Sequence, residues 1–368
     1  MLNCSVVNHP NPNLPNPFLR RRTALLGLLA APALAAVAAC SPTAPGGAAT
    51  SASPTAPGES AKGATDSFPV TIKHRLGETT IPAEPKRVVV VGLTEQDILL
   101  ELGIVPVATT EWYGEQPYAV WPWATDLLGG ARPEVLSDSD GLQLERIASL
   151  APDLIIGTNS GMDEKGYAEL SKIAPTVTNV PGGLPYFSSW EDQTRQVAAA
   201  VGRSADGERL ITEVKESYAK AAAEHPEFAG KTATFSQATP SDGVLWVYQD
   251  GLNTDFLTDL GFTITPGLEK YSKAEGEQAQ ISEENVHLLE ADVVVFASEE
   301  AKNVADVLAF GTMQNLPAVK EHRTVFTDGT LAGAIYFLTP LSQKYVIENL
   351  VPRLVKATKG ESPHSIEG

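Results

Sequence analysis

The chain has few cysteines and few histidines. It contains two Cys and six His in 368 residues. Both cysteines, Cys4 and Cys40, fall in the first 40 residues, so the remainder cannot form a disulfide and its fold must depend on a hydrophobic core. About 300 residues follow, enough for one large core or two smaller ones. No His stands at a recognised ligand spacing from another His, Cys or Glu, which disfavours a direct zinc or manganese site.

Motifs for covalent catalysis and phosphate binding are also missing. The sequence has no Gly-x-Ser-x-Gly elbow, and no Ser-x-x-Lys opens an apolar helix after a strand. The glycine pairs at 129–130 and 182–183 lack the lysine or further glycines of a phosphate loop. We therefore expect a binding protein rather than an enzyme, with neither a cofactor nor a protein-bound metal.

The first 40 residues have the pattern of an export signal. Three arginines (20–22) precede an apolar stretch, Leu25 to Leu34, and small residues lead to Cys40. Pro32 interrupts the run, which is shorter than the roughly 20 residues of a spanning helix. The segment resembles a bacterial lipobox. This resemblance implies a signal peptide at residues 1–39 and a lipid on Cys40 that anchors the protein outside the cell membrane. The arginines also resemble a twin-arginine signal, so the export route stays open.

Acidic residues dominate the exported part. Removing residues 1–39 takes away three of the 27 basic residues and none of the 45 acidic ones, which leaves a net charge of −21. Such a surface is a poor partner for nucleic acid or anionic lipid. Residues 40–67 are rich in Ser, Thr, Pro, Ala and Gly, which predicts a flexible tether.

An α/β unit occurs twice after the tether. The apolar run Val88 to Val91 and its helical continuation predict a βαβ unit. Residues 281–295 repeat the pattern of residues 142–156, with Val286 at the place of Ile147. Between the copies, Asp206 to Glu224 has the spacing of one long helix. The predicted division is an N-terminal lobe (68–204), a linking helix (205–229), a C-terminal lobe (230–358) and a tail (359–368).

Aromatic residues gather where ligands bind in such folds. The carboxyl edge of a parallel sheet is the usual ligand site, and a cluster follows the predicted strand that ends near Ala108. Large aromatic rings would offer a broad amphipathic wall to a planar or rounded ligand. Packing of loops is the other interpretation. The candidates for the wall are Trp112, Tyr113, Trp121, Trp123, Trp190, Trp246 and Tyr248.

The motifs together resemble one known family. The segments at 86–90, 128–136, 144–157 and 170–177 are similar to ABC-transporter substrate-binding proteins of the iron-siderophore and cobalamin class. Within that class, these segments most resemble actinobacterial iron-siderophore lipoproteins. The resemblance implies two three-layer α/β/α lobes with parallel sheets, joined by one long helix, with the ligand between the lobes. It adds Thr158, Asn159 and Arg132 to the cleft. It also implies that Glu164 and Glu284 dock on the membrane permease.

The expected function is capture of a ferric siderophore and its delivery to an ABC importer. The expected ligand is a neutral hydroxamate or mixed-type complex. Iron would stay inside its chelator, and the protein would be a monomer. A haem or cobalamin receptor of the same fold is the alternative. A surface enzyme acting on the cell wall is a further one, with Glu111, Asp138 and Asp140 as its available carboxylates.

Overall fold

The computed structural model describes residues 66–137, 139, 141–183, 186, 188–273 and 277–367. The predicted signal peptide, Cys40 and all of the tether except its last two residues lie outside this range, as do Asp138 and Asp140. Within the described residues, no helix combines the length and apolarity needed to cross a membrane.

A five-stranded parallel sheet forms the centre of the N-terminal lobe, in the order β5-β4-β3-β6-β7. An antiparallel hairpin, β1 and β2, precedes it. The strands are β1 (Val70–His74), β2 (Gly77–Ile81), β3 (Val88–Val90), β4 (Ala108–Thr110), β5 (Glu134–Leu136), β6 (Leu154–Gly157) and β7 (Thr176–Thr178). The helices are α1 (Glu95–Glu101), α2 (Leu144–Ser149), α3 (Glu164–Leu170) and α4 (Trp190–Ala200), with 3-10 turns at Pro117–Ala119 and Thr125–Leu128.

Both faces of this sheet are covered. Val88 and Val90 pack into one apolar cluster, whereas Val89 packs into another on the opposite face. Successive side chains of a strand point to opposite faces, so an uninterrupted valine run suits a strand buried on both sides. The three-layer arrangement predicted from the sequence is confirmed in this lobe.

The C-terminal lobe has a six-stranded sheet, in the order β11-β9-β8-β12-β13 with β10 also paired to β8. Its strands are β8 (Thr232–Gln237), β9 (Val244–Tyr248), β10 (Thr263–Ile264), β11 (Ala279–Ser282), β12 (Val293–Ala297) and β13 (Thr324–Phe326). Its helices are α6 (Asp255–Thr258), α7 (Ala301–Ala309), α8 (Pro317–Lys320), α9 (Gly329–Phe337) and α10 (Pro340–Thr358), with 3-10 helices at Glu269–Tyr271, Glu283–Leu289 and Met313–Asn315.

This second sheet is mixed, which corrects the expectation of two wholly parallel sheets. Strand β9 runs antiparallel to both β8 and β11. Strand β9 follows its partner β8 after a short connection, and a tight connection can join only antiparallel neighbours. The α/β class is unaffected, because β8, β12 and β13 are parallel and β12 is buried on both faces.

One long helix joins the lobes, as predicted. It is α5 (Ser204–Glu224), followed by a 3-10 turn at Pro226–Phe228. Its Leu210 belongs to the apolar core of the N-terminal lobe, whereas Ile211 and Val214 belong to that of the C-terminal lobe. The helix is therefore part of both cores rather than an exposed rod.

The described residues of the C-terminal tail pack against the lobe. The His364 ring stacks on His322 with centroids 4.8 Å apart, and Ser362 N donates to the carbonyl of His322. Arg353 Nη1 donates to the carbonyl of Ile366 at 3.1 Å. These contacts hold the tail against the lobe, although its composition alone does not distinguish it from a disordered terminus.

Candidate functional site

A cavity of about 510 Å³ lies between loops of the two lobes. One side comes from the segment after β4, and the other from the segments after β12 and β13. The cavity is thus at the carboxyl ends of parallel strands, where open α/β folds bind ligands. Its volume is in the range typical of small-molecule sites. The lining residues are Tyr113, Gly114, Gln116, Trp121, Glu299, Asp328, Gly329 and Thr330.

The predicted aromatic cluster lies at a contact between the lobes. Trp121 is only 4% exposed and stacks on Trp123 with centroids 5.1 Å apart. Phe337 of α9 packs against both rings and against Trp112, at 5.3 to 5.7 Å. Two of the predicted wall residues, Tyr113 and Trp121, line the cavity, while Trp112 and Trp123 hold the lobes together beside it.

The contact between Trp121 and α9 requires a glycine. A Cβ added to Gly333 would lie 2.5 Å from the Trp121 ring, closer than any real Cβ contact. The ring is fixed by its stacking on Trp123, so it cannot move aside at low cost.

We expect Gly333→Ala to lower the free energy of unfolding by about 1 to 3 kcal/mol, because the methyl group forces the lobes or the ring apart. Urea titration measures the change. Gly166→Ala on α3 is the matched control, since its added Cβ meets side-chain atoms of Leu142, Asp163 and Met162 at 3.1 to 3.6 Å. The control should change stability by less than about 1 kcal/mol. Equal effects of the two substitutions would contradict the assigned contact.

The cavity is acidic on the C-terminal side. Glu299 follows β12, and Asp328 caps α9 by accepting a hydrogen bond from the Leu331 N–H at 2.9 Å. The other Asp328 oxygen binds Arg353 Nη2 at 2.7 Å. Burial, with a smaller contribution from the Glu299 charge, raises the pKa of Tyr113 well above its ordinary value. Tyr113 therefore enters the cavity as a neutral hydroxyl.

A buried carboxylate joins the lobes behind the aromatic cluster. Asp97 of α1 is 0% exposed, and its Oδ2 accepts hydrogen bonds from Trp123 Nε1 and from Thr339 Oγ1 of the C-terminal lobe, each at 2.7 Å. Burial raises the pKa of Asp97 to about 7, although these two hydrogen bonds oppose the shift. The local sequence around Asp97 does not predict this burial.

An ion-pair cluster lies next to this carboxylate. Lys344 Nζ of α10 binds Glu101 Oε1 of α1 at 2.6 Å and Glu213 Oε2 of α5 at 3.1 Å. One ammonium thus connects both lobes and the linking helix. Such a junction restricts the rotation of the lobes around α5.

Thr158 and Asn159 form hydrogen bonds within the N-terminal lobe. Thr158 Oγ1 and the Asn159 N–H both donate to Oε1 of Glu95, which is fully buried. The Asn159 amide also donates to Thr94 Oγ1 at 3.0 Å. Thr94 accordingly makes no side-chain cap on α1. Neither Thr158 nor Asn159 is among the residues that line the cavity.

The remaining predicted cleft residues are not part of the cavity lining. Trp190 starts α4 and packs into the same apolar cluster as Val214 of α5. Trp246 is 7% exposed within β9, and Tyr248 stacks on Phe235 at 4.7 Å. Arg132 is exposed and precedes β5, which puts it at the amino edge of the sheet. None of these residues lines the cavity.

Both predicted docking acids are exposed at the carboxyl edges of their sheets. Glu164 begins α3 after β6, and Glu284 lies in the first turn of the 3-10 helix after β11. The register of the internal repeat adds Glu145, because Val286 corresponds to Ile147 and Glu284 therefore to Glu145. Glu145 is exposed in the first turn of α2.

Five lining residues were missed by the sequence interpretation. Two of them, Gly114 and Gln116, belong to the segment after β4, and the other three are Asp328, Gly329 and Thr330. The latter three follow β13 (Thr324–Phe326), a short strand flanked by charged residues. The sequence could have indicated these residues, because the residues that follow each strand of a parallel sheet lie at the same edge of that sheet. The strand was too short to be recognised by its pattern.

Comparisons with known proteins agree with this architecture. A family model described as periplasmic binding protein matches residues 88–331. The chain is 29% identical over 280 residues to the probable siderophore-binding lipoprotein YfiY of Bacillus subtilis (strain 168), covering 72% of this chain and 83% of YfiY. It is 26% identical over 299 residues to the iron(3+)-hydroxamate-binding protein YxeB of the same organism, covering 78% and 85%.

Two solved structures are similar throughout the folded part. A periplasmic solute binding protein from Mycobacterium smegmatis str. MC2 155 superposes with a TM-score of 0.73 at 39% identity, covering 78% of this chain and 98% of that one. PiaA of Streptococcus pneumoniae TIGR4, in complex with ferrichrome, superposes with a TM-score of 0.66 at 26% identity, covering 79% and 99%.

Proposed function

Because the chain belongs to the periplasmic binding protein family, we propose that it captures a ferric siderophore between its lobes and delivers it to an ABC importer. The observation that carries the proposal is the cavity at the facing carboxyl edges, lined by Tyr113 and Trp121. The printed activities of YfiY and YxeB, together with the ferrichrome complex of PiaA, support a siderophore as the ligand. These three proteins favour a siderophore over haem or cobalamin as the ligand.

In this proposal iron arrives already chelated, and the protein contributes no ligand to the metal and holds no cofactor. The aromatic rings and the Tyr113 hydroxyl would contact the organic shell of the complex. The protein binds its ligand without transforming it. Glu111, a carboxylate available for catalysis, is half-buried, and burial raises its pKa, but it accepts a hydrogen bond from the Glu115 N–H rather than lining the cavity.

The proposed location is the outer face of the cell membrane, with a lipid on Cys40 as the anchor and a monomer as the working form. The relatives YfiY and YhfQ are described as lipoproteins. The acidic composition supports a solute and a permease as partners rather than nucleic acid.

Ferric hydroxamates are expected to quench the tryptophan fluorescence of the purified protein, residues 40–368 with Cys40→Ser so that no lipid is attached. Trp121 lines the cavity and stacks on Trp123, and Trp112 packs against Tyr113, which also lines the cavity. An iron complex in the cavity therefore lies near three of the five tryptophans. Titration with ferric hydroxamate, catecholate and mixed chelates gives the affinities.

Two controls make the titration decisive. The iron-free chelators should quench less, since iron supplies the absorbing complex. Added haem and cobalamin, followed by their absorbance, test the alternative ligands. Binding of haem or cobalamin without any response to the ferric chelates would refute the siderophore proposal.

A further inference from the structure

An arginine lies behind one of the carboxylates of the cavity wall. The described lining of the cavity contains no Lys, Arg or His, but Arg353 of α10 approaches the lining residue Asp328 from outside it. Arg353 Nη2 donates to Asp328 Oδ2 at 2.7 Å, and Asp328 Oδ1 accepts the Leu331 N–H at 2.9 Å. Both carboxylate oxygens therefore have a partner, and the ion pair compensates the negative charge of this part of the wall.

Two backbone carbonyls hold Arg353 in this position. Its Nη1 donates to the carbonyl of Phe326, the last residue of β13, at 2.9 Å and to the carbonyl of Ile366 in the tail at 3.1 Å. A planar guanidinium has enough donors to make these two bonds and the ion pair together. The Arg353 side chain is only 15% exposed and does not line the cavity. It therefore sets the charge of the wall without contacting a ligand.

The other end of β13 carries an ion pair of similar burial. Arg323 precedes the strand, and its Nη2 lies 2.8 Å from Glu290 Oε1, with the arginine side chain 19% exposed. Glu290 and Asp328 are equally exposed, at 34%. Arg323 also pairs with Glu321 and donates to the carbonyl of Asp292. None of these residues lines the cavity, so the Arg323 pair provides a control for the loss of an arginine charge from the same lobe.

We propose that Arg353 determines the charge specificity of the cleft, which binds anionic as well as neutral ferric chelates because this arginine neutralises Asp328. The inference rests on the proposed siderophore function and concerns the charge of its ligands. Arg353 acts through Asp328 and is a positioning residue rather than a ligand contact. Removal of one member of a buried ion pair leaves the other charge uncompensated. Without Arg353, an anionic chelate would therefore meet the bare carboxylate of Asp328.

The test compares two ferric chelates whose iron shells differ in charge. Ferrichrome is a trihydroxamate chelate and its iron shell is neutral. In ferric schizokinen the ionised α-hydroxycarboxylate of citrate replaces one hydroxamate, which gives the shell a single negative charge. Tryptophan quenching of residues 40–368 with Cys40→Ser gives both affinities, and the measured quantity is their ratio. The chelates also differ in shape, and Glu299 lines the cavity in every variant, but both factors cancel when the ratios of two variants are compared.

Arg353→Met should weaken the binding of ferric schizokinen about tenfold relative to that of ferrichrome, a difference of about 1.4 kcal/mol. Asp328→Asn should shift the ratio in the opposite direction, because Arg353 then keeps its positive charge without a carboxylate partner. The asparagine can still cap α9. The double variant, Arg353→Met with Asp328→Asn, should return the ratio to the native value, since it contains neither charge. The control Arg323→Met should leave the ratio unchanged.

An unchanged ratio in Arg353→Met overturns the inference even if both affinities fall, because an arginine with a purely structural role affects the two chelates alike. An equal shift in Arg323→Met also overturns it. If Arg353→Met does not fold, the opposite shift expected for Asp328→Asn decides the matter alone. If the native protein binds some ferric chelates but not both of these, the inference is wrong and the siderophore function stands. No binding of any ferric chelate overturns both.

Discussion

Replacement of Asp97 by asparagine is expected to remove the contribution of Asp97 to the loss of stability that the native protein undergoes between about pH 4 and pH 7. Burial raises the pKa of this carboxyl from 3.8 to about 7 in the folded protein. In that window the folded state keeps a proton that the unfolded state has released, so the free energy of unfolding falls as the pH rises. The shift corresponds to about 4 kcal/mol in total.

Asparagine is neutral at every pH and can still accept the hydrogen bonds from Trp123 and Thr339 through its carbonyl oxygen. The difference in unfolding free energy between Asp97→Asn and the native protein should therefore grow in favour of the variant by about 4 kcal/mol from pH 4 to pH 7.5. Other buried acids, such as Glu95, contribute equally to both proteins and cancel in this difference.

Urea titrations at half-unit pH intervals measure the effect. Asp126→Asn is the control, because Asp126 is an exposed acid of the same lobe, and its unfolding curve should stay parallel to that of the native protein. A constant difference between Asp97→Asn and native protein across the whole range would show that Asp97 is already ionised at pH 4.

Charge reversal at the rims of both lobes is expected to abolish uptake while ligand affinity stays unchanged. Loss of one partner of a charge pair at an interface costs about 2 to 5 kcal/mol, so Glu284→Lys alone should weaken docking on the permease at least about 30-fold. Glu284 does not line the cavity, which is why the affinity for the ferric complex should not change.

The acid of the N-terminal lobe can be identified in the same assay. The family resemblance assigns Glu164, and the register of the internal repeat assigns Glu145; we expect the larger effect at Glu145, which matches the place of Glu284 in its lobe. Uptake of iron-labelled siderophore is measured for Glu145→Lys, Glu164→Lys and each combined with Glu284→Lys. Glu269→Lys controls for an added positive charge on the surface. A parallel fall in ligand affinity would place these acids in the cleft instead.

Patterns within short segments were sufficient to predict the main strands and helices of the molecule. The valine run of β3, the repeat that pairs Val286 with Ile147 and the spacing of α5 depend on neighbours within one or two helical turns, and all three appear in the structure. Family resemblance supplied the relation between the lobes. These predictions did not require knowledge of which residues meet across the chain.

The environment of individual side chains could not be predicted in this way. Asp97 is buried because Thr339, 242 positions later, donates to it. Trp121 fits because Gly333 leaves room for its ring. In both cases the deciding partner belongs to the other lobe, so the local sequence of an aromatic or acidic residue does not distinguish a cavity wall from a contact between lobes.

The placement of α5 has a consequence for how the protein responds to heat. Adjacent side chains of this helix, Leu210 and Ile211, are anchored in different hydrophobic interiors. If either lobe unfolded, α5 would lose packing contacts on which the other lobe also depends. The two halves therefore unfold as one cooperative unit, even though each has its own sheet.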